Sequence, residues 1–303
     1  MLPADQDYGS HIVFAQAILT QEHIPSYILA HPIFQLLLGG MVWISRSQIN
    51  LWDATILLMT ASNVLLSVIL YQWWTDLRPA LRFGLALSLP FLAPVSGLLF
   101  ADGQLYFGYI GLANYHNPTV QLLKPWALLL FLLVSNAFVD AKNSPWKTIA
   151  AASLTLFTTW IKPNYTLALL PAIFLLGIWF YARKRPIHWR LLLFGCILPG
   201  AGSLATQLAI AYLIPEADQS GFILAPFQVE AAFSDHLWLK FLLSLLFPLA
   251  VWCATDRQTR SKPVLQLAWI VLFITAAQPY MVAESGDSSY HGNYRWGDPT
   301  DII

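Results

Sequence analysis

The charges of this chain sort by loop, and the sorting forces a polytopic membrane fold. If segments 74–79, 141–145, 183–189 and 254–262 share one side of a bilayer with the adjoining span ends, they collect eleven of the sixteen Lys and Arg residues. These are Arg78, Arg82, Lys142, Lys147, Arg183, Lys184, Arg185, Arg190, Arg257, Arg260 and Lys262. The other side keeps Arg46, Lys124, Lys162, Lys240 and Arg295. Acids reverse the pattern, since only Asp76, Asp140 and Asp256 of the sixteen lie on the cation-rich side. Lys/Arg excess in short loops marks the cytoplasmic side.

Composition agrees. The 303 residues are 57% hydrophobic and 11% charged, with a mean hydropathy of +0.58. A soluble domain carries about 25% charged residues, so this chain could not cover a soluble surface but suits an integral membrane protein. Zero net charge gives no sign of nucleic-acid binding. Cys196 and Cys253 each lie in an apolar run and read as packing residues without a disulfide or metal.

Apolar runs at 51–73, 80–100, 121–140, 146–161, 164–182, 190–213, 235–253 and 263–281 predict an all-α protein of about eight transmembrane helices. Most approach the ~20 residues that cross ~30 Å of hydrocarbon, and lipid permits only helices there. Ser144-Pro145 predicts an N-cap followed by proline at the first helical position. A ninth run, 33–45, holds Gly39-Gly40 and is too short to span. The alternation of loops holds only if it stays on the cation-poor face, as an interfacial or re-entrant helix. The chain thus divides into an outer-face loop (1–50), a helix bundle (51–282) and an outer tail (283–303). The first thirty residues are acidic and lack Lys and Arg, so a preceding helix is expected to deliver them to the outer face. The tail after 282 ends as abruptly.

Functional residues favour long loops on a rigid scaffold, and here the long loops are the outer ones. Asp5 and Asp7, at i and i+2, could share a sugar hydroxyl, flank a divalent metal, or supply a general base; a solvated acidic tail is the plainer reading. His11 shares a helical face with Asp7 if a helix begins there, though a lone histidine is ordinarily a surface residue. Asp102 opens a second polar stretch that ends at His116-Asn117-Pro118. Pro118 can open the next span, and His116 and Asn117 could bind hydroxyls at its mouth. Lys162 either marks a tight turn, snorkelling to headgroups, or faces a lipid phosphate. The stretch 284–296 contributes His291 and Arg295 and is too polar to span. No zinc spacing, Gly-Lys-Ser/Thr phosphate loop or dinucleotide fingerprint occurs.

The run Asp5-Gln-Asp7-Tyr8-Gly-Ser10-His11, with Ala15, Ala17, Ile24-Pro25 and His31-Pro32-Ile33, resembles the first outer loop of GT-C-type membrane glycosyltransferases. The resemblance covers about fifty residues and the overall topology. It implies sugar transfer from a polyprenyl-phosphate donor at the outer face, in a bacterial inner membrane, with an acid of that loop as the base. The resemblance leaves the choice between Asp5 and Asp7 open; Asp7 is taken first, because a helix beginning just after it would hold it ionised, with Asp5 second. His11 and His116 would bind hydroxyls or phosphate. Arg295 would hold the phosphate, with Lys162 and Lys124 behind it, since Arg and Lys suit that ligand. No cofactor is implied, and a metal at Asp5 and Asp7 stays open. Two alternatives stand beside it: a transporter or flippase of lipid-linked sugars, and a truncated, non-catalytic membrane protein. A transporter needs polar residues deep in its spans, and here these are few: Thr155, Thr158, Thr159, Ser203, Thr206, Gln207 and Ser244.

Overall fold

The computed structural model describes residues 7–20, 26–91, 107–108, 111–112, 117–142, 144–212, 222–231 and 235–284. It is 81% helical. Among the described residues, five helices are long and apolar enough to cross a membrane: Leu51–Trp73, Pro118–Ala137, Asn164–Ala182, Leu191–Ala211 and Leu237–Ala254. Their outward faces carry large apolar side chains, among them Ile56, Leu57 and Val64, then Phe174, Leu175 and Ile178, and Leu242 and Leu246. A soluble monomer does not leave such continuous patches bare, so these faces belong against lipid.

In chain order the longer elements are α1 (Asp7–Thr20), α2 (Ser26–Leu29), α3 (Ile33–Ile44), α4 (Leu51–Trp73), α5 (Pro79–Ser88), α6 (Pro118–Ala137), α7 (Pro145–Ile161), α8 (Asn164–Ala182) and α9 (Leu198–Tyr212). After them come α10 (Gln228–Ala231), α11 (Leu237–Ala254), α12 (Arg257–Arg260) and α13 (Pro263–Met281). Of the eight expected spans, five coincide with the long apolar helices. The run 146–161 forms α7, of 17 residues. The run 263–281 forms α13, of 19 residues, whose described apolar stretch is the shorter Pro263–Thr275. In the run 80–100, α5 ends at Ser88 and passes into a 3-10 turn, Leu89–Phe91, and 92–100 lie outside the described residues. A short antiparallel pair, Phe222–Leu224 with Val282–Glu284, was not expected.

Local chemistry sets the helix starts. Asn50 and Asn117 cap α4 and α6 by accepting from Asp53 N and Val120 N. Ser144 caps α7, and prolines open α5, α6, α7 and α13. Before α9 the residues Leu191–Ile197 widen into a π-helical stretch. There Gly195 sits so close to α7 that a Cβ would lie 2.9 Å from Ala151 Cβ. Without a hydrophobic driving force in lipid, such close approach by small residues drives helix association.

Packing fixes which helix ends meet. Leu51, Leu122, Leu123 and Ile161 share one buried cluster with Ile12 and Phe34 of α1 and α3. At the other end Phe138 and Phe180 meet edge-on at 5.2 Å, and His188 N donates to Ala137 O at 2.8 Å. The cations Lys142, Lys147, Arg183, Lys184, Arg185 and Arg190 lie beside these contacts. α3 spans 12 residues, about 18 Å at 1.5 Å per residue, which is too short to cross. It packs on α1 and on the beginning of α4.

Candidate functional site

Where α1 and α3 cover the starts of α4 and α6 and the end of α7, a group of polar side chains is buried. His11 of α1 is 7% exposed and meets Phe34 edge-on at 5.4 Å. Its Nδ1 lies 2.8 Å from Nε2 of the fully buried Gln35. An amide nitrogen can only donate, so Nδ1 accepts and the ring carries its proton on Nε2. Gln35 Oε1 is buried without a hydrogen-bond partner.

Lys162 follows the last turn of α7 in an extended conformation, and Pro163 turns the chain into α8. Its side chain does not snorkel, for the residue is 7% exposed. Nζ donates to Thr119 Oγ1 at 3.3 Å. Thr119 passes its own proton to Asn117 Oδ1 at 2.6 Å, and the same oxygen caps α6. One turn on, Lys124 Nζ donates to Gln121 Oε1 at 3.1 Å, while Ser62 Oγ of α4 donates to Gln121 O at 2.8 Å.

The electrostatics keep both histidines neutral. Burial, and then the Lys162 ammonium and His31, push His11 down to about 3. Burial and then Lys162 push His31 down to about 4. At neutral pH the cluster offers one ammonium, two uncharged imidazoles and a hydroxyl beside the N-terminus of the 20-residue α6. An ammonium and a helix N-terminus favour an anion. Neutral imidazoles add donors and acceptors suited to hydroxyls.

The residues singled out from the sequence are thus partly assembled. His11, Asn117 and Lys162 come together, and Lys124 lies on the same end of α6. Asp7 begins α1, but its side chain lies outside the described residues. Asp5, Asp102, His116, His291 and Arg295 lie outside them too. Sequence reasoning placed His11 on one helical face with Asp7, whose side chain lies outside the described residues; among those described, His11 meets Gln35. It missed Gln35, His31 and Thr119 as contributors. Gln35 left a signal, being the one polar side chain in the run Ile33–Ile44, and an amide buried in an apolar helix must find a partner. Among the described residues, no three His, Cys, Asp or Glu side chains could hold a metal ion.

A second polar feature runs through the bundle. Thr159 Oγ1 lies 2.7 Å from Thr166 Oγ1, and Gln207 Nε2 donates to Thr159 O at 2.9 Å. Thr155 Oγ1 donates to Gly195 O in the widened stretch. Thr158 and Thr159 also bond carbonyls one turn back, which is how hydroxyls are satisfied in lipid. No protein-family model, curated protein or solved structure matches the chain.

Proposed function

We propose that this chain is a membrane glycosyltransferase of GT-C type. It transfers a sugar from a polyprenyl-phosphate donor at the outer face of a bacterial plasma membrane. The observation that carries the reading is the buried Lys162, held by Thr119 beside two neutral histidines and the start of α6. A lipid phosphate sits at the interface where spans end, and α6, α7 and α8 present this cluster at their ends.

The acceptor hydroxyl oxygen attacks the anomeric carbon, and its proton passes to the base. The bond from that carbon to the phosphate oxygen breaks, and its electron pair stays on the phosphate. Asp7 is the base in this reading, with Asp5 positioning the acceptor. Lys162 replaces Arg295 as the first choice for the phosphate, because charge developing on a leaving group is best met by a fixed cation in a dry site. His11, through Nε2–H, and Asn117 bind hydroxyls or phosphate oxygens. Any part played by Asp102, His116, Lys124, His291 or Arg295 is auxiliary.

The test is binding of a polyprenyl phosphate to the purified protein. Lys162→Met is expected to weaken it roughly tenfold or more, the scale of one charge-assisted contact, while Arg183→Met leaves it unchanged. Equal binding by wild type and Lys162→Met would remove the site from the proposal.

A lipid-linked-sugar transporter is the second reading, favoured by the buried seam of Thr155, Thr159, Thr166 and Gln207. Most of its hydroxyls are used by helix carbonyls, which suits packing better than passage.

A further inference from the structure

Between α4 and α5 lies a groove of about 920 Å³. Residues of α4 line it from Trp52 to Gln72, a length of about 30 Å at 1.5 Å per residue. At the Lys/Arg-rich end it has two described walls: Ser67, Val68 and Tyr71 on one side, Phe83, Ala86 and Leu87 on the other. At the opposite end the described lining is Tyr8, Trp52 and Thr55, one residue from the exposed Asp53. The walls are apolar and would take a hydrocarbon chain, but the two ends differ in charge.

Arg82 stands at the Lys/Arg-rich end. Its Nε donates to Tyr71 O, and its guanidinium lies 3.8 Å from the centroid of the Tyr71 ring that lines the groove. These two contacts hold the planar group in place and leave Nη1 and Nη2 with no hydrogen bond among the described residues. Arg78 immediately precedes the same helix, one turn earlier, and is exposed. The acid of that loop, Asp76, is also exposed and makes no ion pair among the described residues. A fixed guanidinium fork is suited to bidentate binding of a phosphate.

We propose that the two-walled part of this groove is a binding site for an anionic phospholipid of the Lys/Arg-rich leaflet. One acyl chain lies between α4 and α5, and the phosphodiester rests on Arg82. The charge placement decides against a phosphate at the other end of the groove, where Asp53 would repel it. The inference rests only on the chain being a membrane protein, not on sugar transfer. Lipid that merely surrounds the bundle would draw its preference for anionic headgroups from every cation of this face alike, whereas a site built around Arg82 must lose the preference when that one residue is changed.

The experiment is native mass spectrometry of the delipidated, full-length protein, offered phosphatidylglycerol and phosphatidylcholine with identical chains. Wild type is expected to retain phosphatidylglycerol roughly tenfold over phosphatidylcholine: both carry the phosphodiester, but the choline cation offsets the charge that Arg82 and the exposed Arg78 meet. Arg82→Gln should abolish that preference. Arg183→Gln, which removes a cation stacked on Trp179 elsewhere at the same end, should keep it. Leu87→Trp narrows the groove from an exposed wall position and should lose retention of both lipids while the protein stays folded, so the idea can be tested even if Arg82→Gln does not fold. Equal retention of the two lipids by wild type, an undiminished preference in Arg82→Gln, or full retention in Leu87→Trp would each overturn the proposal.

Discussion

Gln35 Nε2 donates to His11 Nδ1 across 2.8 Å, joining α3 to α1 through two buried side chains. The bond fixes the histidine as the Nε2–H tautomer and ties the short α3 to the loop that carries the N-terminal acids. Gln35→Leu removes the donor and strands Nδ1 in an apolar setting, which costs about 1–3 kcal/mol. A lower thermal midpoint in detergent is expected, and an unchanged midpoint would show that the pair does not hold the loop. Ring-nitrogen NMR on the wild type should find Nδ1 of His11 unprotonated at neutral pH.

The same burial predicts a pH dependence. His11 and His31 lie near 3 and 4 in the folded protein, below the ordinary histidine value of about 6.5. Above that value both states are neutral and this source of pH dependence vanishes. Between about 6.5 and 4 the unfolded chain binds protons that the folded chain does not, so stability falls as pH falls. Denaturation midpoints should be flat above pH 7 and decline below 6.5. His11→Gln should decline less steeply, and an equally steep decline would assign the effect elsewhere.

Close helix packing gives a contrast of two glycines. A Cβ at Gly195 would lie 2.9 Å from Ala151 Cβ and 3.1 Å from Thr148 O, whereas one at Gly202 meets nothing within 4 Å. Gly195→Ala should destabilise by about 1–3 kcal/mol through overpacking. Gly202→Ala should be neutral, or stabilising by up to about 1 kcal/mol from helix propensity alone. Unfolding in mixed detergent would rank them, and equal values would contradict the close contact of α7 with the widened stretch.

Sidedness follows from the clustering of Arg183, Lys184 and Arg185 with the ends of α6 and α8. Arg185→Cys in a cysteine-free background should react with an impermeant maleimide only after the cells are opened. Reaction in intact cells would invert the topology.

The helices were legible where one local rule sufficed. α4 and α8 coincide with the runs 51–73 and 164–182, because a long apolar run bounded by polar or basic residues admits one reading in lipid. The Ser144 cap was legible because the capping residue and its proline are adjacent; Asn117 was read as a hydroxyl-binding residue, and its capping of α6 was not foreseen. The run 80–100 is described only as far as Phe91, where α5 has passed into a 3-10 turn. The site was legible by residue type but not by partner. His11, Asn117 and Lys162 stood out as polar groups on outer loops. That His11 meets Gln35, 24 residues away, and that Lys162 meets Thr119, 43 away, depends on how α1 and α3 fold over the bundle, which no local pattern encodes.

Sugar transfer itself is the most direct test of the account. The protein, in its full natural length, is reconstituted in liposomes with a polyprenyl-phosphate-linked sugar, and transfer is measured for wild type, Asp7→Asn, Asp5→Asn and Lys162→Met. The account predicts transfer by wild type and a loss of about 10²–10⁴ in rate when the base is removed, with Asp7→Asn the more severe of the two acids. It also predicts a marked loss in Lys162→Met. No transfer by the wild type from any such donor, or turnover unchanged in all three variants, would contradict it.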